Sequence, residues 1–380
     1  MTPTLLQILP SFNMGGVERV TFETITGLTP TFGIHHIASS GGRYVHQLPS
    51  SVMHHTLPLN TKNPFMIMAN AKRLYKLIKD HKIDLIHARS RAPAWSALIA
   101  AHIAKIPFIT TYHGTYNART IGKHTYNSVM VRGDYVIAIS KFIETHIQTH
   151  YPHNAKNVTF IPEGIDTSIH DPKAVTDERI AKMRMRLSLS PAISNRPYLI
   201  LLPGRLTRWK GQTVLLNALR TLNIPNWHAI ILGDAQGRDT YKNELTQLAQ
   251  GLPVTFITNA DDMPAMYALA DVVLSCSTDP EAFGRVTAEA LAMQRPVIGT
   301  THGGTIELTA NGLYGTLVPP NDYLALSNAI MNHYNTSPEE QAQRGMHARQ
   351  HIQDYYSLTK MICLTKEIYE KALTSGEHTS

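Results

Sequence analysis

The sequence predicts an α/β fold of two facing, Rossmann-like, doubly wound domains with a ligand cleft between them. Short apolar strands alternate with helical segments along the chain, which is the pattern of parallel sheets with helices on both faces. The length of 380 residues suffices for two domains of ordinary size. A polar segment punctuated by Pro162, Gly164 and Pro172 interrupts the alternation near its middle.

The elements follow from apolar runs, helical periodicity and turn residues. In the first half we predict strands at 5–9, 34–39, 84–88, 108–111, 135–139 and 158–161, and helices near 16–27, 64–81, 93–104, 119–131 and 140–149. In the second half we predict strands at 198–203, 227–232, 254–257, 271–275, 296–299 and 315–318, and helices near 210–222, 239–250, 262–269, 284–293 and 322–334. The stretch after Pro338 is helical, with no further strand.

The domain boundary is expected in the polar segment. Residues 1–167 are predicted to form the N-terminal, acceptor-side domain, and residues 168–357 the C-terminal, nucleotide-sugar-binding domain. A C-terminal helix at about 358–380 is expected to pack back on the first domain. In sheets of this kind ligands bind at the carboxyl ends of the strands, so the chemistry should lie at those edges.

Composition excludes several classes of protein. Apolar residues make up 43% and charged residues 17%, which favours a folded core over disorder. Only two cysteines occur, far apart in sequence, which argues against a disulfide framework and fits a reducing compartment. The N-terminus does not resemble a secretory signal, and no apolar run is long enough to span a membrane. We therefore expect a cytoplasmic protein.

Charge is distributed unevenly along the chain. Residues 1–165 hold 16 Lys and Arg against 7 Asp and Glu, whereas residues 166–380 hold 19 against 21. The basic first half suggests an anionic partner, with a merely soluble basic surface as the alternative. No aromatic and basic stacking pattern or known module points to nucleic acid, so no nucleic-acid partner is expected.

The loop after the strand at 271–275 is the most informative stretch. Glu281 lies in this loop, and Gly284 opens a helix that carries Glu289. Free amides near Phe283, Gly284 and Arg285 at the helix N-terminus form an anion site. Glu281 is placed to contact a sugar and Glu289 to reach a ribose, so the loop predicts a nucleotide-sugar site; a capped surface helix is the alternative.

Two glycine-bounded turns offer further anion sites. Gly15 and Gly16 lie in a strand-to-helix turn that matches neither the dinucleotide fingerprint nor a P-loop. In the second half, Gly204 is followed by Arg205 and Lys210, a bidentate cation and a compact one that suit a diphosphate. No acidic metal site is apparent, and Asp261 and Asp262 are interpreted as a helix cap before Pro264.

A histidine at a strand end completes the motifs. His113 directly follows the strand at 108–111 and precedes a glycine, which places it at the sheet edge, able to hydrogen-bond a sugar hydroxyl. Since the chain has 20 histidines, position rather than residue type singles this one out.

These motifs together resemble the family 4 retaining glycosyltransferases of the two-domain GT-B fold over nearly the full length of the chain. The matching pieces, in order, are GGVER (15–19), HG (113–114), AISK (138–141), IPEGID (161–166), GRLTRWKG (204–211), GD (233–234), the E-x7-E loop (281–289) and GGTIE (303–307). Their common order is far more specific than any single motif.

The resemblance implies roles for these residues. Glu281 and the amides of Phe283 and Gly284 would hold the donor sugar, Glu289 the ribose, and Arg205 and Lys210 the diphosphate. Gly15 and Gly16 would line the diphosphate from the N-terminal domain, and His113 would lie near the reacting sugar. The family transfers a hexose-type sugar with retention and without a divalent metal or other cofactor. Two departures are Glu163, where the family often has Asn, and Ala282, where Gly is frequent.

The acceptor is expected on the basic N-terminal domain. Arg89 and Arg91 follow the strand at 84–88 and, with Glu163, are candidate acceptor contacts. The helix at 64–81 has apolar and basic faces, so it could lie on the anionic inner face of the cytoplasmic membrane or simply dock on its own sheet. A glycan or lipid-linked glycan acceptor, as in lipopolysaccharide or other cell-envelope synthesis, would suit both features.

Two other classes remain as alternatives. A non-catalytic GT-B protein that binds nucleotide or glycan would be indicated by loss of Glu281, Lys210 or Arg205, but all three are present. A dinucleotide-dependent oxidoreductase is disfavoured because its glycine fingerprint and acidic partner are missing.

Overall fold

The computed structural model describes residues 2–13, 15–116, 120–187 and 196–376, and all structural statements below refer to these ranges. The chain divides into two compact units, one formed by Met1–Gly164 with Leu358–Ser380 and the other by Ile165–Ser357. The boundary expected from the sequence, at residue 167, lies three residues beyond Gly164. The start of the predicted helix at 119 and the chain end at 377–380 lie outside the described residues.

The first unit contains a seven-stranded parallel sheet. Its strands are β1 (Thr4–Ile8), β2 (Ile34–Ser39), β3 (Met53–Thr56), β4 (Leu85–Ala88), β5 (Phe108–Tyr112), β6 (Tyr135–Ala138) and β7 (Val158–Phe160). Its helices are α1 (Gly16–Leu28), α2 (Pro64–Asp80), α3 (Arg91–Ala104), α4 (Ile121–Asn127) and α5 (Lys141–His150). The strand order is β3-β2-β1-β4-β5-β6-β7.

The second unit contains a six-stranded parallel sheet. Its strands are β8 (Tyr198–Pro203), β9 (Trp227–Leu232), β10 (Val254–Ile257), β11 (Val272–Ser275), β12 (Val297–Thr300) and β13 (Thr316–Val318). Its helices are α6 (Asp177–Arg186), α7 (Gln212–Arg220), α8 (Asp239–Leu248), α9 (Met263–Leu269), α10 (Arg285–Ala292), α11 (Gly304–Leu308), α12 (Tyr323–Tyr334) and α13 (Pro338–Tyr355). The strand order is β10-β9-β8-β11-β12-β13.

Both sheets are doubly wound, because the strand order reverses beside the first strand of each unit. In the second unit Ile200, Leu202 and Leu274 of the strands are buried with Leu215 of α7 in one core. The predicted class of two Rossmann-like α/β domains is thereby confirmed.

The last helix, α14 (Leu358–Gly376), belongs to the first unit. Its Met361, Ile368 and Tyr369 share a core with Leu5 of β1 and Val20 of α1. The chain therefore ends against the unit in which it began.

Among the described residues, one strand and two α-helices were not predicted. Strand β3 reads Met-His-His-Thr, which lacks apolar alternation, and it pairs at the sheet edge with β2. Helix α6 lies in the segment interpreted as a polar loop; it buries only Met183, and its Arg179 pairs with Asp262 at 2.7 Å. Helix α11 is only five residues long. Strand β3 is stabilised by its pairing with β2, whereas α6 has local helix signals: Thr176 caps it, acidic residues lie in its first turn and basic residues in its last.

One predicted cap is confirmed in detail. The Asp262 side chain accepts a hydrogen bond from the Ala265 amide at 3.0 Å, and Pro264 occupies the first turn of α9. Within the described ranges, no helix is both long and apolar enough to cross a lipid bilayer.

Candidate functional site

The candidate site of the second unit starts at the carboxyl end of β8. Gly204 adopts φ +156°, and the chain then passes Arg205 into a short 3-10 turn that ends at Lys210. Gly211 follows with φ +75° as the N-cap of α7. A Cβ atom on Gly211 would lie 1.9 Å from the Cys276 carbonyl oxygen, so only glycine lets this turn lie directly against the end of β11.

Lys210 and Glu281 form an ion pair at this edge. Lys210 Nζ lies 2.5 Å from Glu281 Oε1, and the Ser277 hydroxyl donates to the same oxygen at 2.5 Å. The two charged side chains are only 17% and 13% exposed. Strands β8 and β11 are hydrogen-bonded neighbours, so the loops that follow them meet at one edge of the sheet. The Thr278 amide also donates to the Trp209 carbonyl at 2.7 Å and ties the loops together.

The other basic residue of this turn is placed differently. Arg205 is exposed, and its guanidinium makes no ion pair with any described residue. Its backbone carbonyl accepts a hydrogen bond from the Gln212 side chain at 2.9 Å, which fixes the chain at that point. The structure therefore brings Lys210, but not Arg205, into contact with Glu281.

The N-terminus of α10 lies directly after Glu281. Gly284 is its N-cap, with φ +105° and no side-chain capping hydrogen bond, and the first-turn amides of a helix are groups that suit an anion. Phe283 is buried beside this turn. The Gly304 amide donates to the Glu281 carbonyl at 2.8 Å. A Cβ atom on Gly303 would lie 2.4 Å from that same carbonyl oxygen, so the glycines of the GGTIE motif allow its backbone to pack directly against the loop.

Glu289 is held inside the unit. It is 5% exposed, and the Tyr267 hydroxyl donates to its Oε2 at 2.9 Å. Its Oε1 lies 3.6 Å from Arg285 Nε and 3.9 Å from His170 Nε2. Sequence analysis identified neither Tyr267 nor His170, because both come from segments that resemble no part of the motif.

The first unit carries the remaining predicted residues, beginning with its glycines. Gly15 is the N-cap of α1, without a side-chain capping bond, and Gly16 is the first helical residue. A Cβ atom on Gly16 would meet nothing within 4 Å, whereas one on Gly15 would meet the Glu18 carboxylate at 2.3 Å. Met14, in the same motif, lies outside the described residues.

His113 and Glu163 form a buried pair. His113 Nδ1 lies 3.1 Å from Glu163 Oε1, and the side chains are 4% and 8% exposed. Burial lowers the pKa of His113, although the hydrogen bond and charge of Glu163 raise it in part. The sequence named both residues but gave no reason to pair them, since they lie 50 positions apart.

The two candidate acceptor arginines lie within the unit's own contacts. Arg89 is 4% exposed, and its Nε donates to Gln7 at 3.0 Å. Arg91 donates to Asn127 at 2.7 Å and stacks over the Tyr116 ring, with 4.1 Å between its guanidinium carbon and the ring centroid. Both guanidinium groups therefore have protein partners in this structure.

Among the described residues, no group of three or more His, Cys, Asp or Glu side chains is arranged to hold a metal ion. The two glutamates of the E-x7-E loop pair instead with cations: Glu281 with Lys210, and Glu289 with Arg285.

Two Rossmann-like units with motifs at their strand ends define the GT-B class of α/β proteins. Comparison with known proteins gives the family. Residues 187–351 match the family model for glycosyl transferases group 1, and residues 14–169 match that for glycosyltransferase family 4. The chain belongs to the group 1, or family 4, glycosyltransferases.

Individual relatives agree with this assignment. The chain is 32% identical to a glycosyltransferase from Rickettsia africae ESF-5, covering 98% of this chain and 99% of that one with a TM-score of 0.89. Anabaena Alr3699/HepE, solved in complex with UDP-glucose, is 23% identical over 97% of this chain and 99% of that one, with a TM-score of 0.83. A GDP-mannose-dependent phosphatidylinositol monomannoside mannosyltransferase from Mycolicibacterium smegmatis is 27% identical, covering 68% of this chain and 69% of that protein.

Proposed function

We propose that this glycosyltransferase transfers a hexose-type sugar from a nucleoside-diphosphate sugar to a glycan or lipid-linked glycan, with retention and without a divalent metal. The observation that carries the proposal is the contact of Lys210 Nζ with Glu281 Oε1 just before the glycine-capped N-terminus of α10. A cation and helix amides suit a diphosphate, and a neighbouring carboxylate suits sugar hydroxyls. The nucleotide sugars named for two of the relatives support this donor class.

The proposed chemistry follows from these charges. As the bond from the sugar to the diphosphate breaks, negative charge grows on the leaving oxygen and positive charge on the sugar. Lys210, Arg205 and the first-turn amides of α10 stabilise the former. The acceptor hydroxyl attacks from the same face, and the leaving phosphate oxygen takes its proton, so no protein base is needed. The roles predicted for Gly15, Gly16, His113 and Glu289 are part of this proposal.

The test is donor turnover without an acceptor. Purified protein is incubated with UDP-, GDP- and ADP-sugars, with and without a metal chelator, and the release of nucleoside diphosphate is recorded. We expect one donor to be hydrolysed slowly, unaffected by the chelator, and Lys210→Ala and Glu281→Ala to lose this activity. Arg208→Ala and Glu244→Ala are matched controls, because they remove an exposed ion pair of the same turn.

The outcomes separate the alternatives. Equal loss in the Arg208 and Glu244 variants would refute the special role of the Lys210–Glu281 pair. If no donor is turned over and none raises the melting temperature, a non-catalytic nucleotide- or glycan-binding protein is the better interpretation.

For the acceptor side, we propose peripheral contact with an anionic membrane through one face of α2. Phe65, Met68, Lys72, Lys76 and Lys79 follow one another at helical spacing and are all exposed, Phe65 by 85% and Met68 by 58%. The opposite face, with Leu74 and Leu77, is buried in the unit. The helix thus packs on its own unit through the face that carries Leu74 and Leu77. Its exposed face has apolar side chains near the N-terminus and lysines along the rest, an arrangement that suits anionic lipid headgroups.

Flotation with anionic vesicles at low salt tests this contact. We expect wild-type protein to bind and Phe65→Glu/Met68→Glu to lose binding. Met346→Glu, at a position that is 55% exposed in the second unit, is the control and should bind like wild type. Absence of wild-type binding would refute the membrane contact, leaving a water-borne glycan as acceptor in cell-envelope or lipopolysaccharide synthesis.

A further inference from the structure

The buried pair of His113 and Glu163 lies at the carboxyl edge of the first sheet. His113 follows β5 and Glu163 follows β7, and both strands pair with β6 between them. The pair is therefore built by the sheet and not by sequence proximity. Glu163 is also one of the two positions at which this chain departs from the family pattern, since Asn is frequent there.

The hydrogen bond determines which imidazole nitrogen carries the proton. A carboxylate only accepts hydrogen bonds, so Nδ1, at 3.1 Å from Glu163, donates. In the neutral imidazole Nε2 then keeps its lone pair. This Nε2 is buried and has no hydrogen-bond partner among the described residues. A buried acceptor without a partner is costly, so it is suited to a hydroxyl that a ligand brings.

The Arg89 guanidinium interacts electrostatically with both Glu163 and His113. It donates to Gln7 and to the Tyr369 hydroxyl of α14. Burial lowers the pKa of Arg89, and Tyr369 and then the charge of Glu163 raise it in part. A buried cation of this kind favours a carboxylate at position 163. This explains why Arg89 is enclosed at a strand end that the sequence assigned to the acceptor.

We propose that Glu163 is a positioning residue for His113: it accepts the Nδ1 hydrogen and so presents the Nε2 lone pair to a hydroxyl group of the bound sugar. The inference rests on the proposed function, since it requires a sugar substrate. Asn at this position would give a shorter, neutral side chain; Glu instead combines the longer reach with a charge that the Arg89 cation balances.

The pair should make turnover pH-dependent. Protonation of Nε2 removes the acceptor, so activity falls as the pH drops through the pKa of His113. The charged and titratable groups that act on His113 are Glu163, Arg89 and His87. Of these only Glu163 favours the protonated form, whereas Arg89 opposes it. Removing the carboxylate should therefore lower the pKa of His113 further and move the acidic limb of the pH profile to lower pH.

The test uses variants of Glu163 in the full chain with the donor that wild type turns over. Glu163→Leu should lower kcat about ten- to a hundredfold, corresponding to the loss of one hydrogen bond to a charged group. Glu163→Gln keeps an acceptor for Nδ1, so it should lose less activity than Glu163→Leu while its acidic limb moves to lower pH. KM for the donor should change less than kcat. Glu144→Gln, which removes a surface carboxylate paired with Lys141, should not move the limb.

A measurement without substrate separates this inference from the proposed function. In protein labelled with ¹⁵N-histidine, the signals of His113, assigned by their loss in His113→Gln, should show the proton on Nδ1 in wild type and a mixture of tautomers in Glu163→Leu. A proton on Nε2 in wild type would overturn the inference, as would an unchanged pH profile in Glu163→Gln. If wild type turns over no donor, the proposed function fails and the tautomer alone decides the role of Glu163.

Discussion

Replacing Gly211 with alanine should destabilise the second unit strongly. The residue has φ +75°, a conformation that costs a non-glycine residue about 1–2 kcal/mol. In addition, the new Cβ would lie 1.9 Å from the Cys276 carbonyl oxygen, which is backbone and cannot rotate away. Forcing these segments apart adds about 1–3 kcal/mol, as other overpacking substitutions do. We therefore expect a total loss of about 3 kcal/mol.

Gly251→Ala is the matched control. Gly251 has φ +78°, but a Cβ atom there would meet nothing within 4 Å, so this variant carries the conformational cost alone. For a unit the size of Ile165–Ser357, each kcal/mol lowers Tm by about 2–4 °C. The expected fall is thus about 6–12 °C for Gly211→Ala, at about 3 kcal/mol, and about 2–8 °C for Gly251→Ala, at about 1–2 kcal/mol.

Urea unfolding followed by tryptophan fluorescence measures this difference. Two of the three tryptophans, Trp209 and Trp227, lie in the second unit and report on it. Because Gly211 directly follows Lys210, donor hydrolysis should fall together with stability. If Gly211→Ala is no more destabilising than Gly251→Ala, close packing against Cys276 does not hold this turn, and the reasoning is refuted.

Three further predictions concern the polar contacts. Tyr369→Phe removes a hydroxyl that accepts a hydrogen bond from the buried Gln7 amide and contacts Nδ1 of the buried His87, at 2.6 Å each. The free energy of unfolding of the first unit, measured in urea, should therefore fall by about 1–3 kcal/mol. An unchanged free energy of unfolding would mean that water replaces the hydroxyl. Burial, with the neighbouring imidazoles, lowers the pKa of His36 and of His55 to about 4. The unfolded chain then binds more protons, so the first unit should lose stability as pH falls from about 6.5 toward about 4, and His55→Gln should weaken this dependence in unfolding curves at pH 7 and pH 5. A double-mutant cycle of Lys210→Met and Glu281→Gln should give a coupling of about 1–2 kcal/mol in the stability of the second unit, whereas additive losses would show that the contact contributes little.

The strands show how far local pattern suffices. Strands β2, β8, β9 and β10 have the predicted bounds. Strands β8, β9 and β10 are mainly apolar runs between turn residues, whereas β2 contains His35, His36 and Ser39 and is nevertheless buried from His35 to Ser39. Strand β3 was missed because its pairing with β2, and not its own pattern, stabilises it. Helix α6 was missed although the Thr176 cap and the charges at its two ends are local signals of a helix.

The site divides in the same way. Sequence alone determined the family, the glycine turns and the E-x7-E loop, because helix N-termini, glycine and charge act over a few residues and leave a motif. Only the tertiary structure decided that Lys210 meets Glu281, that Glu163 holds His113 and that Arg89 is enclosed behind them. These contacts join residues that follow different strands of a sheet, and no local stretch of the sequence specifies the spatial order of those strands.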